Sequence, residues 1–121
     1  MDSKQEFNLY NKITYYISYI RKHVIINIPK IHNDIRIHLL DESYNLVKLL
    51  RYASWNTGNI RNKYITEMLI SISMLDYLTS NLSSLSNINK KKIENSFGML
   101  ASIRNITYAW KVNEENEKKN R

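Results

Sequence analysis

The side chains of this chain that are able to do acid–base or metal chemistry are few and scattered. His38 and Glu42 lie four residues apart, a spacing at which two helical ligands share a metal, but the sequence completes no ligand set around them. It also contains no glycine-rich phosphate loop and no nucleophile motif. The sequence therefore predicts no metal site, no cofactor and no enzymatic activity.

Three ionisable residues fall on the apolar faces of predicted helices: Glu42, Glu67 and Arg104. Counting residues from each turn places them at similar heights, so we expect them to meet in one polar layer inside the protein. Buried charges are tolerated when they are paired, and such a layer is able to set the register of neighbouring helices. We interpret the layer as structural, with a catalytic role as the alternative.

The chain carries an excess of positive charge. It has 18 Lys and Arg against 11 Asp and Glu among 121 residues, a formal charge of +7. Beyond residue 112 three acids cancel three bases, so the whole excess belongs to the part that is expected to fold. A polyanion is the expected partner, RNA first and DNA or an RNA–DNA hybrid next. The alternative is that the charge serves solubility alone.

The composition predicts one all-α domain. One proline and two glycines leave few places where a long helix is broken. Apolar periodicity predicts helices at about 4–26, 29–55, 60–82 and 90–111. We expect residues 1–112 to form an antiparallel up-down-up-down four-helix bundle, and residues 113–121 to form a charged, disordered tail.

The first and last predicted helices each carry one apolar face at helical spacing. Asn89 is the expected N-cap of the last helix, with Ile88 and Ile93 as a hydrophobic staple. The expected core residues of the first helix are Leu9, Ile13, Tyr16, Ile17, Ile20 and Val24. Those of the last helix are Ile93, Phe97, Leu100, Ile103, Thr107 and Trp110.

The two middle helices carry more apolar surface than one core requires. Helix 2 has a second apolar stripe, and residues 64–78 of helix 3 are apolar on three faces. Burial against another copy of the chain accounts for the extra faces, so we expect a homo-oligomer. The expected interface residues are Leu40, Tyr44, Val47, Ile70, Met74 and Tyr77.

The expected topology gathers the basic residues at the two ends of the bundle, because the first and third turns lie at one end and the second turn at the other. Both clusters are candidate nucleic-acid-binding sites. The alternative is that these residues lie at the ends only because the core excludes them. The first cluster is Arg21, Lys22, Lys30, Lys90, Lys91 and Lys92. The second is Arg51, Arg61, Lys63 and Lys111.

Cations and aromatic residues alternate along one side of the first helix. Lys12, Tyr15, Tyr19 and Lys22 follow one another at steps of three, four and three. This pattern favours an RNA surface on which Tyr15 and Tyr19 stack on bases and the lysines contact phosphates. The alternative is that the tyrosines are buried between subunits and the lysines are merely solvated.

Neither a membrane nor an oxidising compartment is indicated. The longest uncharged apolar stretch, residues 68–75, is much shorter than the roughly 20 residues of a membrane-spanning helix. The chain has no cysteine, which is compatible with a reducing cytoplasm. We expect a soluble, cytoplasmic protein.

The order of several short motifs resembles the Avd family, the accessory variability proteins of diversity-generating retroelements, and related four-helix bundles encoded in ribosomal RNA intervening sequences. The motifs are IPK at 28–30, Arg61 with Tyr64, MLDYL at 74–78 and YAWK at 108–111, after a tyrosine-rich first helix. The chain departs from many retroelement members in having no glycine between Gly98 and the final Trp.

The resemblance implies a basic homopentameric barrel of four-helix bundles. It also implies a non-enzymatic partner of a reverse transcriptase and its template RNA, needed for mutagenic cDNA synthesis. By this resemblance Pro29 and Trp110 are structural, while Lys30, Arg61 and Lys111 face nucleic acid or polymerase.

Two main hypotheses follow from the sequence; a third, a helical ribonuclease or nucleotidyltransferase-linked bundle, would be revived only by metal-independent cleavage of RNA by the pure protein. The first is an oligomeric, basic accessory protein that binds RNA and a reverse transcriptase. The second is a structural protein–protein interaction bundle with no nucleic-acid partner. Salt dependence separates them, because binding to RNA weakens steeply with salt.

Overall fold

The protein is built from four long helices. The computed structural model describes residues 2–85 and 87–119, apart from the side chain of Lys118. None of these residues forms a strand, which confirms the all-α class. The helices are α1 (Ser3–His23), α2 (Asn33–Trp55), α3 (Gly58–Ser80) and α4 (Lys90–Lys119).

Side-chain caps start the first and last helices. At α1, Asp2 Oδ1 accepts from the Gln5 backbone N–H at 2.8 Å and Gln5 Oε1 accepts from the Asp2 N–H at 3.0 Å. At α4, Asn89 Oδ1 accepts from the Lys91 N–H at 2.8 Å. Ile88 and Ile93 are both buried. The predicted capped start of α4 is therefore confirmed.

The connection between α1 and α2 is longer than a tight turn. Two short 3-10 helices, Ile25–Asn27 and Lys30–His32, separate the two α-helices. Pro29 was expected in the first turn of the second helix, but its ψ of 153° is extended, so it precedes the second 3-10 helix. Arg36 Nη2 donates to the Ile28 carbonyl at 2.7 Å and ties this connection to α2.

The helices surround one hydrophobic core. α1 packs against α2 and α4, and α3 packs against the same two helices. The predicted core face of α1 is buried throughout, and that of α4 is buried except for the half-buried Phe97. Burial of these faces is the main force that holds the helices together.

A charged, disordered tail was expected at residues 113–121; in the structure α4 continues through residues 113–119. Two ion pairs explain the extension: Arg61 Nη1 lies 3.1 Å from Glu114 Oε1, and Lys111 pairs with Glu115 one turn further along α4. Glu and Lys are also good helix formers. Residues 120 and 121 lie outside the described residues.

The surplus apolar faces lie at the surface. Ile70, Met74 and Tyr77 of α3 and Tyr44 of α2 are exposed, and Leu40 and Val47 are half-buried. One copy of the chain therefore does not bury the residues expected at an oligomer interface. Among residues 2–85 and 87–119, no helix is both long enough and apolar enough to cross a membrane.

Candidate nucleic-acid interface

Three consecutive lysines occupy the first turn of α4. Lys90 and Lys91 are exposed and Lys92 is half-buried, and this turn contains no acidic residue. A helix N-terminus carries partial positive charge from its backbone N–H groups, so lysines here add to a potential that is already positive. Acidic residues are the usual choice at this position, and the arrangement favours an anion as ligand.

A hydrogen bond brings the end of α1 to this turn. Tyr19 Oη donates to the Lys92 carbonyl at 3.1 Å, which holds the C-terminal part of α1 against the start of α4. Arg21 and Lys22 lie in the last turn of α1, and Lys30 is exposed in the following connection. We call these three cations together with Lys90, Lys91 and Lys92, the set that the sequence predicts at one end of the bundle, the lysine end.

The cations of the lysine end have no acidic partners in the part of the chain that the structure describes, where the ion pairs involve Arg61, Arg104 and Lys111. Most of these side chains are solvent-exposed, and an ammonium group is a strongly hydrated point charge. Their positive field is therefore not cancelled by a bound carboxylate. This is the electrostatic condition for phosphate binding.

The second basic cluster, which we call the arginine end, consists of Arg51, Arg61, Lys63 and Lys111. Arg51 lies over the Tyr10 ring at 4.9 Å from the centroid, and Lys63 lies 5.8 Å from the Tyr64 centroid. Lys111 is paired with Glu115. All four cations of this end contact groups of the same chain.

Arg61 is the most heavily engaged of the four. Its Nε donates to the Ala53 carbonyl at 2.9 Å, its Nη1 bonds Glu114, and its Nη2 reaches the Ser54 carbonyl at 3.4 Å. Its guanidinium also lies 5.7 Å from the Trp110 ring, and its side chain is 17% exposed. Each guanidinium nitrogen of Arg61, a residue expected to bind nucleic acid, already has an acceptor within the chain.

The two candidate stacking tyrosines differ. Tyr19 is half-buried. Its hydroxyl donates to the Lys92 carbonyl, and its ring lies 4.8 Å from that of His23. Tyr19, which was expected to stack on a base, therefore makes its contacts within the chain. Tyr15 is 64% exposed. It lines a groove of about 710 Å³ formed by residues of α1 and α4, and its ring is open to a ligand.

The expected polar layer of Glu42, Glu67 and Arg104 does not form. Arg104 pairs with Asp76 at a partly exposed position. Asp76 lies nine residues from Glu67, about 13 Å along α3 at 1.5 Å per residue, so counting from the turns misjudged the height of Arg104. Glu42 and Glu67 both line a separate surface cavity of about 350 Å³.

Among residues 2–85 and 87–119, two side chains have a pKa that departs from its ordinary value; perturbed pKa values are typical of catalytic sites. Burial raises the pKa of the Tyr16 phenol, with the Thr79 hydroxyl opposing the shift. The hydrogen bond and charge of Lys111 lower the pKa of the Glu115 carboxyl. Over the described ranges, no three His, Cys, Asp or Glu side chains cluster as metal ligands would.

Sequence reasoning missed the groove between α1 and α4 and the pairing of Asp76 with Arg104. The groove had one signal, the glycine at position 98 inside a predicted helix, since glycine in a helix interior is unfavourable by roughly 1 kcal/mol relative to alanine. The pairing of Asp76 with Arg104 had no signal in the sequence, because it depends on the heights at which α3 and α4 meet.

The described residues define the class, an all-α protein of four helices. The cations of the arginine end contact groups of the same chain, whereas those of the lysine end have no acidic partner among the described residues. Comparisons of the chain with protein-family models, with curated proteins and with solved structures find no match. The resemblance to the Avd family therefore stays a prediction from the motifs of the sequence.

Proposed function

We propose that this protein is a non-enzymatic accessory protein that binds RNA at its lysine end. The observation that carries the proposal is the set of six cations there, three of which lie at a helix N-terminus. None of the six forms an ion pair with a described residue. Such a surface binds phosphates by charge and releases counterions when it does so. Its contribution is to hold and orient RNA, not to make or break covalent bonds.

An antiparallel up-down-up-down arrangement of the four helices belongs to this proposal. Three contacts support it, each joining the end of one helix to the beginning of another. Tyr19 of α1 bonds Lys92 of α4, Tyr10 of α1 meets Arg51 of α2, and Arg61 of α3 bonds the C-terminal part of α4. This topology places the lysine end and the arginine end at opposite ends of the bundle.

Self-assembly is the second part of the proposal. The exposed apolar side chains of Ile70, Met74 and Tyr77 form one face of α3, and large exposed apolar surfaces are typical of interaction sites. We propose that several copies close around this face, with a pentamer implied by the resemblance to the Avd family. Light scattering is expected to report a mass near five times the 14.4 kDa of one chain; a single chain in dilute solution would contradict assembly.

The resemblance also suggests the remaining partner, the reverse transcriptase of a diversity-generating retroelement, with action in the cytoplasm and support of mutagenic cDNA synthesis. The arginine end offers a surface for a protein partner, because Phe7 and Trp55 are exposed there around a cavity of about 380 Å³. Aromatic residues and arginine are enriched in the energetically dominant parts of protein interfaces. The same surface favours the alternative function, a protein-interaction bundle without nucleic acid.

Salt dependence of RNA binding separates the two functions. The affinity of the purified protein for a single-stranded RNA is measured from low to moderate salt. The accessory function predicts that log Kd rises linearly with log salt concentration, by roughly 0.7 per phosphate contact. Binding that is absent, or that does not change with salt, would remove RNA as the partner and leave the protein-interaction function.

A further inference from the structure

The groove between α1 and α4 lies beside the lysine end, because Glu94 in its α4 wall is two residues from Lys92. Its α4 wall includes Glu94, Asn95 and Gly98, and its α1 wall includes Asn11, Lys12 and Tyr15. On each helix these positions follow one another at spacings of one, three or four residues, so they share one face. The volume of about 710 Å³ lies in the range of small-ligand sites.

Gly98 opens the floor of this groove. A Cβ atom added at Gly98 would meet no atom within 4 Å, so packing inside the protein does not require glycine there. Glycine in a helix interior is nevertheless less favourable than alanine. A ligand that approaches the α4 backbone closely accounts for a residue without a side chain at this place.

The polar groups of the groove suit a nucleobase. The exposed Tyr15 ring is a stacking surface for any base, and the positively charged Lys12 lines the same groove. The Glu94 carboxylate only accepts hydrogen bonds when ionised. Guanine presents two adjacent N–H donors on its Watson–Crick edge, which match the two oxygens of a carboxylate, whereas uracil presents one donor between two acceptors.

We propose that this groove binds one unstacked guanine base of the RNA, an inference that rests on the RNA-binding function proposed above. The base stacks on Tyr15 and its edge bonds Glu94, while the adjoining phosphates lie on the lysine end. A guanine in a duplex has both its face and its edge occupied, so the site selects single-stranded RNA.

The test compares oligouridine of twelve nucleotides with the same RNA carrying a single central guanine, by fluorescence anisotropy with the full chain. Wild type is expected to bind the guanine-containing RNA roughly 5- to 100-fold more tightly. Pairing that guanine in a short duplex is expected to abolish the preference. Equal binding of the two single strands, with steep salt dependence retained, would overturn the groove and leave the RNA function standing. No RNA binding at all would overturn both.

Matched variants locate the effect. Tyr15→Ala is expected to weaken binding of the guanine-containing RNA roughly 5- to 100-fold. Tyr108→Ala removes a ring of similar exposure on α4, 60% against 64%, and is expected to have no effect. Glu94→Gln is expected to lose the guanine preference, whereas Glu117→Gln, another exposed carboxylate of α4, is expected to keep it. Equal effects within either pair would overturn the assignment.

Gly98→Leu tests occupancy of the groove without removing a polar group. It is expected to weaken guanine binding as Tyr15→Ala does, while the midpoint of thermal unfolding is unchanged or raised. Gly98→Ala is the smaller change for use if leucine disturbs the fold. Dissociation of the oligomer by Tyr15→Ala and Gly98→Leu, but not by Tyr108→Ala, would show that a second copy of the chain fills the groove and would overturn the proposal.

Discussion

The two ends of the molecule carry similar basic residues and use them differently. At the arginine end the cations lie on aromatic rings, on backbone carbonyls or beside carboxylates. At the lysine end the described residues supply no acidic partner, and three lysines share the start of a helix. The comparison shows that a count of basic residues does not tell how many of them have intramolecular partners.

The residue types fit this division of roles. The planar guanidinium of Arg61 presents five donors, which satisfy two carbonyls and a carboxylate at once. A lysine ammonium stays hydrated at the end of a flexible side chain, so it moves easily into contact with a phosphate. α4 itself creates the asymmetry, since its first turn contains no acid while its C-terminal part contains Glu114 and Glu115.

The largest expected effect on stability comes from breaking the arginine end. Arg61→Met removes the partner of Glu114, whose side chain is only 10% exposed. Leaving that carboxylate unpaired is expected to lower the free energy of unfolding by about 3 kcal/mol, measured by urea denaturation.

The control is Lys63→Met, a substitution two residues from Arg61 in the same helix, α3. Lys63 is exposed and makes one weak contact with a ring, so its loss is expected to change the free energy of unfolding by less than about 0.5 kcal/mol. If Arg61→Met and Lys63→Met lower the free energy of unfolding equally, the contacts of Arg61 do not stabilise the packing of the helices at this end.

Charge reversal at the lysine end is expected to act on binding and spare the fold. Replacing Lys90, Lys91 and Lys92 with Glu removes up to three phosphate contacts, so the salt slope of RNA binding is expected to fall by about 2. Acidic residues suit a helix N-terminus, and each substitution is expected to stabilise α4 by roughly 0.3–1 kcal/mol. Anisotropy measures the first effect and thermal unfolding the second.

An equal change of net charge at the other end separates position from total charge. Lys4, Lys63 and Lys119 are exposed, and replacing these three with Glu is expected to leave most of the salt slope in place. A loss of RNA affinity equal to that of the first triple variant would mean that overall charge, and not the lysine end, attracts the RNA.

The smallest expected effect concerns the pair of Lys111 and Glu115. Since the hydrogen bond and charge of Lys111 lower the pKa of Glu115 in the folded chain, the pair stabilises the fold above the ordinary pKa of glutamate. That contribution is lost as the pH falls through the lowered value. Carboxyl chemical shifts followed by NMR are expected to show the Glu115 midpoint below its ordinary value and to return it there in Lys111→Gln. An unchanged Glu115 midpoint in Lys111→Gln would show that the two side chains do not interact.

Local patterns accounted for most of the fold. The scarcity of proline and glycine, the apolar spacing of α1 and α4 and the Asn89 cap depend on neighbours within one or two turns, and the structure has each of them. Predictions that required heights on different helices to match were less successful. Arg104 was assigned to Glu42 and Glu67 but pairs with Asp76.

The sequence by itself determined that this chain is helical, which faces are buried, and that its excess charge is positive. Only the tertiary structure decided which charges are neutralised, because an ion pair such as that of Arg61 and Glu114 joins residues 53 positions apart. It also decided that α4 continues to Lys119, that Tyr19 is committed to Lys92, and that Tyr15 faces an open groove. Each of these outcomes depends on how two helices are placed relative to each other, and helical periodicity in one helix carries no information about that placement.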